Sequence, residues 1–520
     1  MSSTILTKNG VFTILLVLVF FSLGLIGIIN HEMWRDELQA WLIARDSSSI
    51  GNLFENLKYE LHPSFWHLCL YLITRFTQNP VAMQIFHLLI ATGSIYIFAR
   101  FAPFTRIQKI LFSFGYFPFY EYAIISRNYG LGIFFFFLFC SFFQTRRTTY
   151  SILAIILFFL ANTNAYGLII ALALGTTLIF EHTFNFNLSL ANKKDISISM
   201  IIFLIGTLIS IIQLIPTLDN AFPIRDPKLN SVKLLAYTIM MMGRSYIPIP
   251  NVFTYHFWNT NIIDILYNNP VGDDILKVLF TILSIGLFVF SVTLFTQNLV
   301  PFFAYIITTL GALSFSYLTQ QHIGYLRHQG HLFIILIVCL WISKFYNDSF
   351  VPLGFINNLS YFLRKYRKCF ISSILCINFA VGIFFFVMDL YNPFHLSKEV
   401  AIFIKNHNME NVTIVASYRS SPISGYLNTK FYYIENDKFG SFIIWDKLWE
   451  KRSSANQIKA QKYIADTLDK LKKRENENII LLLHYKLKAK EFNNIKVVKL
   501  AEFYKSIYPD DYYLYLVQPP

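Results

Sequence analysis

Long runs of uncharged, apolar residues constrain this chain more than any other feature. VFTILLVLVFFSLGLIGIIN (11–30) carries no charge over a length that crosses a hydrocarbon core as one helix. Comparable blocks recur at 81–99, 107–124, 129–144, 150–163, 165–180, 196–216, 275–295, 300–317, 331–346 and 370–389. Residues 11–30 are too long for the apolar region of a signal peptide and lack a small-residue cleavage site, so they are expected to remain as the first span. Charged residues make up 14% of the chain, against about 25% in a soluble protein. A disordered chain and an ordinary soluble enzyme are both excluded. The expected fold is a polytopic α-helical membrane protein of about eleven spans over 1–390, with a soluble α/β domain at 391–520.

One stretch decides which way the loops face. SFWHLCLYLITRFTQ (64–78) is short and interrupted by His67 and Arg75. If it crossed the membrane, the clusters Arg146–Arg147, Lys193–Lys194 and Arg364, Lys365, Arg367, Lys368 would fall outside. Basic clusters in short loops prefer the cytoplasmic side, so 64–78 is expected as an interfacial helix. The N-terminus is then expected on the cytoplasmic side of a plasma (inner) membrane, with the C-terminal domain extracytoplasmic. The outer face holds 31–80, a turn at 126–128, a loop at 217–274, a turn at 318–330 and the tail. The net charge of +14 fits basic loops against anionic membrane lipids. No basic stretch with interleaved aromatics stands clear of the apolar blocks, so no nucleic-acid partner is expected. The five cysteines show neither metal-ligand spacing nor a disulfide framework.

The tail has a different rhythm. Residues 412–418, 430–435, 441–446, 478–485, 496–500 and 512–517 read as strands, and 452–474 as an amphipathic helix with Ile464, Leu468 and Leu471 on its apolar face. No Gly-rich phosphate loop follows a strand, which argues against a nucleotide site.

Four motifs at the expected outer surface carry possible chemistry. HEMWRDELQAWLIARD (31–46) places Asp36 and Glu37 just after the first span, as a reactive acidic pair or as an N-cap and a solvated first-turn acid. YELHPSFWHLCLYLI (59–73) offers Glu60 and His62 as pocket residues or as polar groups facing headgroups. With Glu37, these are compatible with a divalent metal without making a full ligand set. FYEYAIISRNYGLGI (119–133) and YLRHQGHLF (325–333) bring Arg127, Tyr129, Arg327 and His328 to span ends. The arginines there either snorkel to the interface or grip a phosphate through paired N–H groups.

Taken together, these motifs resemble the GT-C glycosyltransferases, particularly the protein O-mannosyltransferase and lipid A aminoarabinose transferase branch. The likeness rests on RDE (35–37), HPSFWHLCLYL (62–72), SRNYGLG (126–132) and NTNAYGLII (162–170), and covers roughly 10–220. The second Pro of the family's His-Pro-Pro stretch is Ser64 here, and the Tyr that often follows the late outer Arg is His328. The resemblance implies an inverting transfer from a polyprenyl-phosphate-linked sugar donor to a lipid, glycan or protein acceptor. Asp36 would be the general base, assisted by Glu37. Arg127 would hold the donor phosphate, with Arg327 as a second candidate, and Glu60, His62, Tyr129 and His328 would line the pocket. The competing classes are a polytopic transporter or lipid flippase and a structural envelope protein. A transporter would be expected to place charged residues or broken helices near the bilayer midplane, whereas most charges here lie at span ends.

Overall fold

Helices without a polar face are stable only inside a bundle or against lipid. The computed structural model describes residues 8–184, 191–221, 231–263, 273–319, 324–346, 360–455, 457–472, 478–487 and 497–517. Helix α1 (Lys8–Asn30) leads into the short helices α2 (Arg35–Asp46), α3 (Ile50–Leu57) and α4 (Phe65–Thr74). The bundle continues through α5 (Val81–Phe101), α6 (Arg106–Ser113), a π-helical stretch Tyr116–Ile124, α7 (Tyr129–Phe142) and α8 (Ser151–Ala161). It closes with α9 (Ala165–Thr183), α10 (Lys193–Leu214), α11 (Ser231–Tyr246), α12 (Asp273–Thr293), α13 (Leu299–Thr319), α14 (Leu326–Ile342) and α15 (Arg367–Tyr391).

Nine helices among the described residues are long and apolar enough to cross a membrane. They are α1, α5, α7 with the 3₁₀ turn after it, α9, α10, α12, α13, α14 and α15. Outward-facing Leu18, Ile212 and Ile282 are exposed, as lipid-facing residues are. Helix α14 is buried along its whole length and forms the centre of the bundle.

Three expected features of the bundle come out differently. The block 107–124 is not one α-helix, because it breaks after α6 and resumes as the π-helical stretch. The cause is tertiary. Helix α15 passes the break at Gly382, where a Cβ would lie 2.4 Å from the Phe114 carbonyl oxygen and 2.8 Å from the Tyr116 nitrogen. Gly382→Ala is therefore expected to destabilise the bundle by about 1–3 kcal/mol, measured as a lower thermal midpoint in detergent. The block 150–163 contains only the eleven residues of α8, about 16 Å of helix, short of a full crossing. Finally, 217–274 is not all loop. It holds α11, sixteen residues packed into the bundle with Leu234, Met240, Met241, Met242 and Tyr246 buried.

Gln84 near the start of α5 donates to the Ile28 carbonyl near the end of α1 at 3.2 Å. Residues 31–80 therefore leave and re-enter the bundle at the same end. Helix α4, ten residues long and about 15 Å, does not cross it.

The tail packs onto that same end. After α16 (Ser397–Asn406) come β1 (Thr413–Ala416), α17 (Ser421–Leu427), β2 (Phe431–Tyr433), β3 (Lys438–Gly440), α18 (Lys447–Ser453), α19 (Gln457–Lys472), β4 (Ile479–Leu483), β5 (Val497–Phe503) and β6 (Tyr512–Val517). The sheet order is β3-β2-β1-β4-β6-β5, with β1 parallel to both β2 and β4. Side chains alternate across it. Ile414, Phe431, Ile480 and Leu482 meet α16 and α17 on one face. Val415, Tyr432, Ile479 and Leu481 meet Ile464, Leu468 and Leu471 of α19 on the other. Residues 441–446, expected as a strand, carry only an isolated bridge from Asp446 to Asn220. Both backbone groups of Ile443 are taken by the side chain of Gln39, at 2.7 and 3.1 Å, so this segment docks on α2 and does not extend the sheet.

Candidate functional site

The best-defined polar cluster forms where α2, the turn before α7 and the start of α14 converge. Asp36 occupies the first turn of α2. Its Oδ2 lies 2.8 Å from Arg127 Nη1 and 3.3 Å from Arg327 Nη2, and its Oδ1 lies 3.3 Å from Arg35 Nε. Three guanidinium groups thus surround one carboxylate, leaving two positive charges in excess. The side chains of Arg127 and Arg327 are only 10% and 9% exposed, so water does little to screen them.

Aromatic rings hold the cations in place. The Arg327 guanidinium lies over Tyr325 at 4.5 Å and Trp34 at 5.3 Å, and Arg127 lies 5.6 Å from the Tyr129 ring centre. Tyr122 donates to the Arg327 carbonyl at 2.6 Å, tying the π-helical stretch to the start of α14. His328, next in the chain, stacks on Tyr166 at 5.5 Å and meets Tyr129 edge-on. Nε and Nη1 of Arg327 are buried without a hydrogen-bond acceptor among the described residues. Buried N–H donors are rarely left unmatched, since each costs about 1–3 kcal/mol.

The carboxylates divide into distinct environments. Burial alone would push the Asp36 carboxyl up, but Arg127, Arg35 and Arg327 outweigh it and hold it well below the usual carboxylate range. Glu60 goes the other way. It accepts from Gln39 at 2.8 Å and from Trp445 Nε1 at 2.9 Å, yet burial pushes it up to about 7, with the Asp36 charge adding to the rise.

Glu37 takes different partners from Asp36. It is fully buried, not a solvated acid. One oxygen accepts from the Ser126 backbone N–H at 2.7 Å, and the other accepts from the Trp34 N–H and contacts His31 Nε2, both at 3.1 Å. Adjacent helix residues point about 100° apart, so the two members of the acidic pair meet different partners. By holding Ser126, Glu37 fixes the turn that carries Arg127.

His31 completes this support. Its Nδ1 lies 2.7 Å from Asp389 Oδ2, to which Tyr120 also donates at 3.0 Å. Burial alone would push the imidazole down, but Asp389 and Glu37 outweigh it and raise it to about 10. The ring is therefore a cation bridging two buried carboxylates. His31, Arg35 and Asp389 are the site residues that motif reading missed. The one signal for Asp389 is its position as an acid within the apolar run FFFVMDLY.

No family model matches the chain, and no curated protein was found to be similar to it. The site has to be understood from its own geometry.

That geometry brings Asp36, Arg127 and Arg327 together, with Tyr129 and His328 packed beside the arginines and Glu60 within electrostatic reach of Asp36 and Arg127. His62 is half-buried two residues beyond Glu60. The set Glu37, Glu60 and His62 does not gather. Among the described residues, no group of three or more His, Cys, Asp or Glu side chains is placed to hold a metal ion.

Proposed function

We propose that this protein is an inverting glycosyltransferase, moving a sugar from a polyprenyl-phosphate donor to an acceptor at the non-cytoplasmic face of the membrane. The observation that carries this proposal is the pair of buried arginines on Asp36, with two Arg327 nitrogens lacking an acceptor among the described residues. A phosphodiester supplies the missing acceptor oxygens and one negative charge. The start of the buried helix α14 adds a further favourable field for an anion.

The chemistry follows from these groups. As the bond between the anomeric carbon and the phosphate oxygen breaks, the leaving polyprenyl phosphate gains a second negative charge, which Arg127 and Arg327 stabilise where it develops. The acceptor oxygen or nitrogen bonds to the opposite face of that carbon, and its proton passes to Asp36. No glycosyl-enzyme intermediate is required, so a second opposed carboxylate is unnecessary. Asp36 is a weak base while three cations hold it. Once the donor phosphate takes its share of the guanidinium groups, the carboxylate is freed to accept a proton. Glu37 acts as a positioning residue, and Glu60 lies where it can orient an acceptor.

The direct test is turnover of a radiolabelled polyprenyl-phosphate sugar by purified protein, followed by identification of the labelled product. No labelled product from any hexose, pentose or amino-sugar donor would overturn the proposal. The pH profile then separates the two acids. With Asp36 as base, kcat/KM shows no acid limb above the usual Asp pKa of about 3.9. A fall centred near pH 7 would move the base role to Glu60, whose carboxyl sits at about 7.

A further inference from the structure

A polar cavity of about 350 Å³ lies within the tail domain. It opens at the carboxyl ends of β1, β2 and β4. These strands are parallel, and β1 has β2 on one side and β4 on the other. Strand order therefore reverses at β1, where open parallel sheets leave a crevice for ligands. At its floor Ser417, just after β1, and His484, just after β4, are hydrogen-bonded at 2.9 Å.

Three cations line the cavity: Arg419, Arg452 and Lys486. Arg419 is oriented by Asp510 at 2.8 Å. Arg452 is oriented by Asp437 at 3.2 Å and by the Ile434 carbonyl at 2.7 Å. A guanidinium carries five N–H donors, so these contacts fix each fork without exhausting it. Lys486 is exposed at the rim. The acid on the lining, Glu435, is pushed up to about 7 by burial, so it opposes an anion only weakly at neutral pH. The turn after β1 is SYRSSP, with no glycine to let the backbone close on a phosphate chain. An anion here is read by side chains. Tyr418, Tyr463 and Tyr485 supply flat faces beside them, suited to a hydroxylated ring.

We propose that this cavity binds a small anionic sugar, a hydroxylated ring bearing a carboxylate or a phosphate. Tyr418 forms part of its wall, and on the same ring the Arg35 guanidinium lies at 5.6 Å while contacting Asp36. An occupant is thus two side chains from the cluster at the bundle end. The binding itself does not depend on the glycosyltransferase proposal, and it is measured without any lipid donor.

The test is calorimetric titration of the full-length protein with glucuronate, glucose 6-phosphate, inorganic phosphate and glucose. At least one anionic sugar is expected to bind about tenfold or more tightly than both glucose and inorganic phosphate. Lys486→Gln and Arg452→Gln are each expected to weaken that binding about tenfold. Lys486 is exposed, so its substitution leaves folding intact. Phosphate binding as tightly as the anionic sugars would reduce the cavity to a plain anion site and overturn the proposal. So would a lack of preference over glucose, or full affinity in both variants.

Discussion

Asp36→Asn is expected to lower kcat for sugar transfer by about 10²–10⁴-fold while lowering the donor KM. The second effect distinguishes a base from a structural residue. In the resting protein Asp36 occupies the guanidinium groups of Arg127 and Arg327 at 2.8 and 3.3 Å. Removing its charge leaves those cations free for the donor phosphate, so donor binding tightens as chemistry fails. Arg327→Gln and Arg127→Gln should do the reverse, weakening donor binding and slowing transfer by about 10²–10³-fold. Arg327→Lys is not expected to rescue, because a single ammonium cannot replace a fork stacked on Trp34 and Tyr325. Steady-state kinetics with the donor varied would check all four variants. A raised donor KM in Asp36→Asn would mean that the carboxylate only braces the arginines.

His31→Gln is expected to cost about 3–5 kcal/mol, since it leaves two buried carboxylates without their shared cation. The readout is the thermal midpoint in detergent. Adding Asp389→Asn to His31→Gln should recover part of the loss, because the unpaired charge goes with it. The wild type should also show a pH signature. The His31 pKa is raised to about 10 from an ordinary value of 6.5. Its contribution is fully present below the ordinary value and fades as pH climbs toward 10. The midpoint of the wild type should fall over that window more steeply than that of the variant. An equal slope in both would remove the cationic bridge.

How far the sequence reveals this site depends on which contacts are local. Arg127 and Arg327 stood out because a charge at the end of an apolar run is conspicuous in one dimension. Asp36 and Glu37 did not separate, because their different orientations depend on where α2 docks. Glu37 is claimed by Ser126 and His31, one of them distant in the chain, and no spacing announces that. The same limit explains the fold. Alternation along 413–416, 479–483 and 512–517 is a local property, so the strands were legible. SFIIWD alternates equally well but gives its backbone to Gln39, 404 residues away. The break in 107–124 depends on Gly382 arriving from another helix. Helix α11 was hidden because its sixteen residues include an exposed Lys233 near its start and Arg244 near its end, which break the apolar run.

The ion pairs at the bundle end join positions far apart in translation order. Arg327 reaches back 291 residues to Asp36, and Asp389 reaches back 358 to His31. A growing polypeptide therefore inserts its early helices with the His31–Glu37 pair and the Arg35 and Arg127 contacts of Asp36 already available, and lacks only Asp389 and Arg327. The two late charges, Arg327 and Asp389, thus enter the membrane region with their partners already in place, so that docking of the last helices is guided by an early-formed polar template.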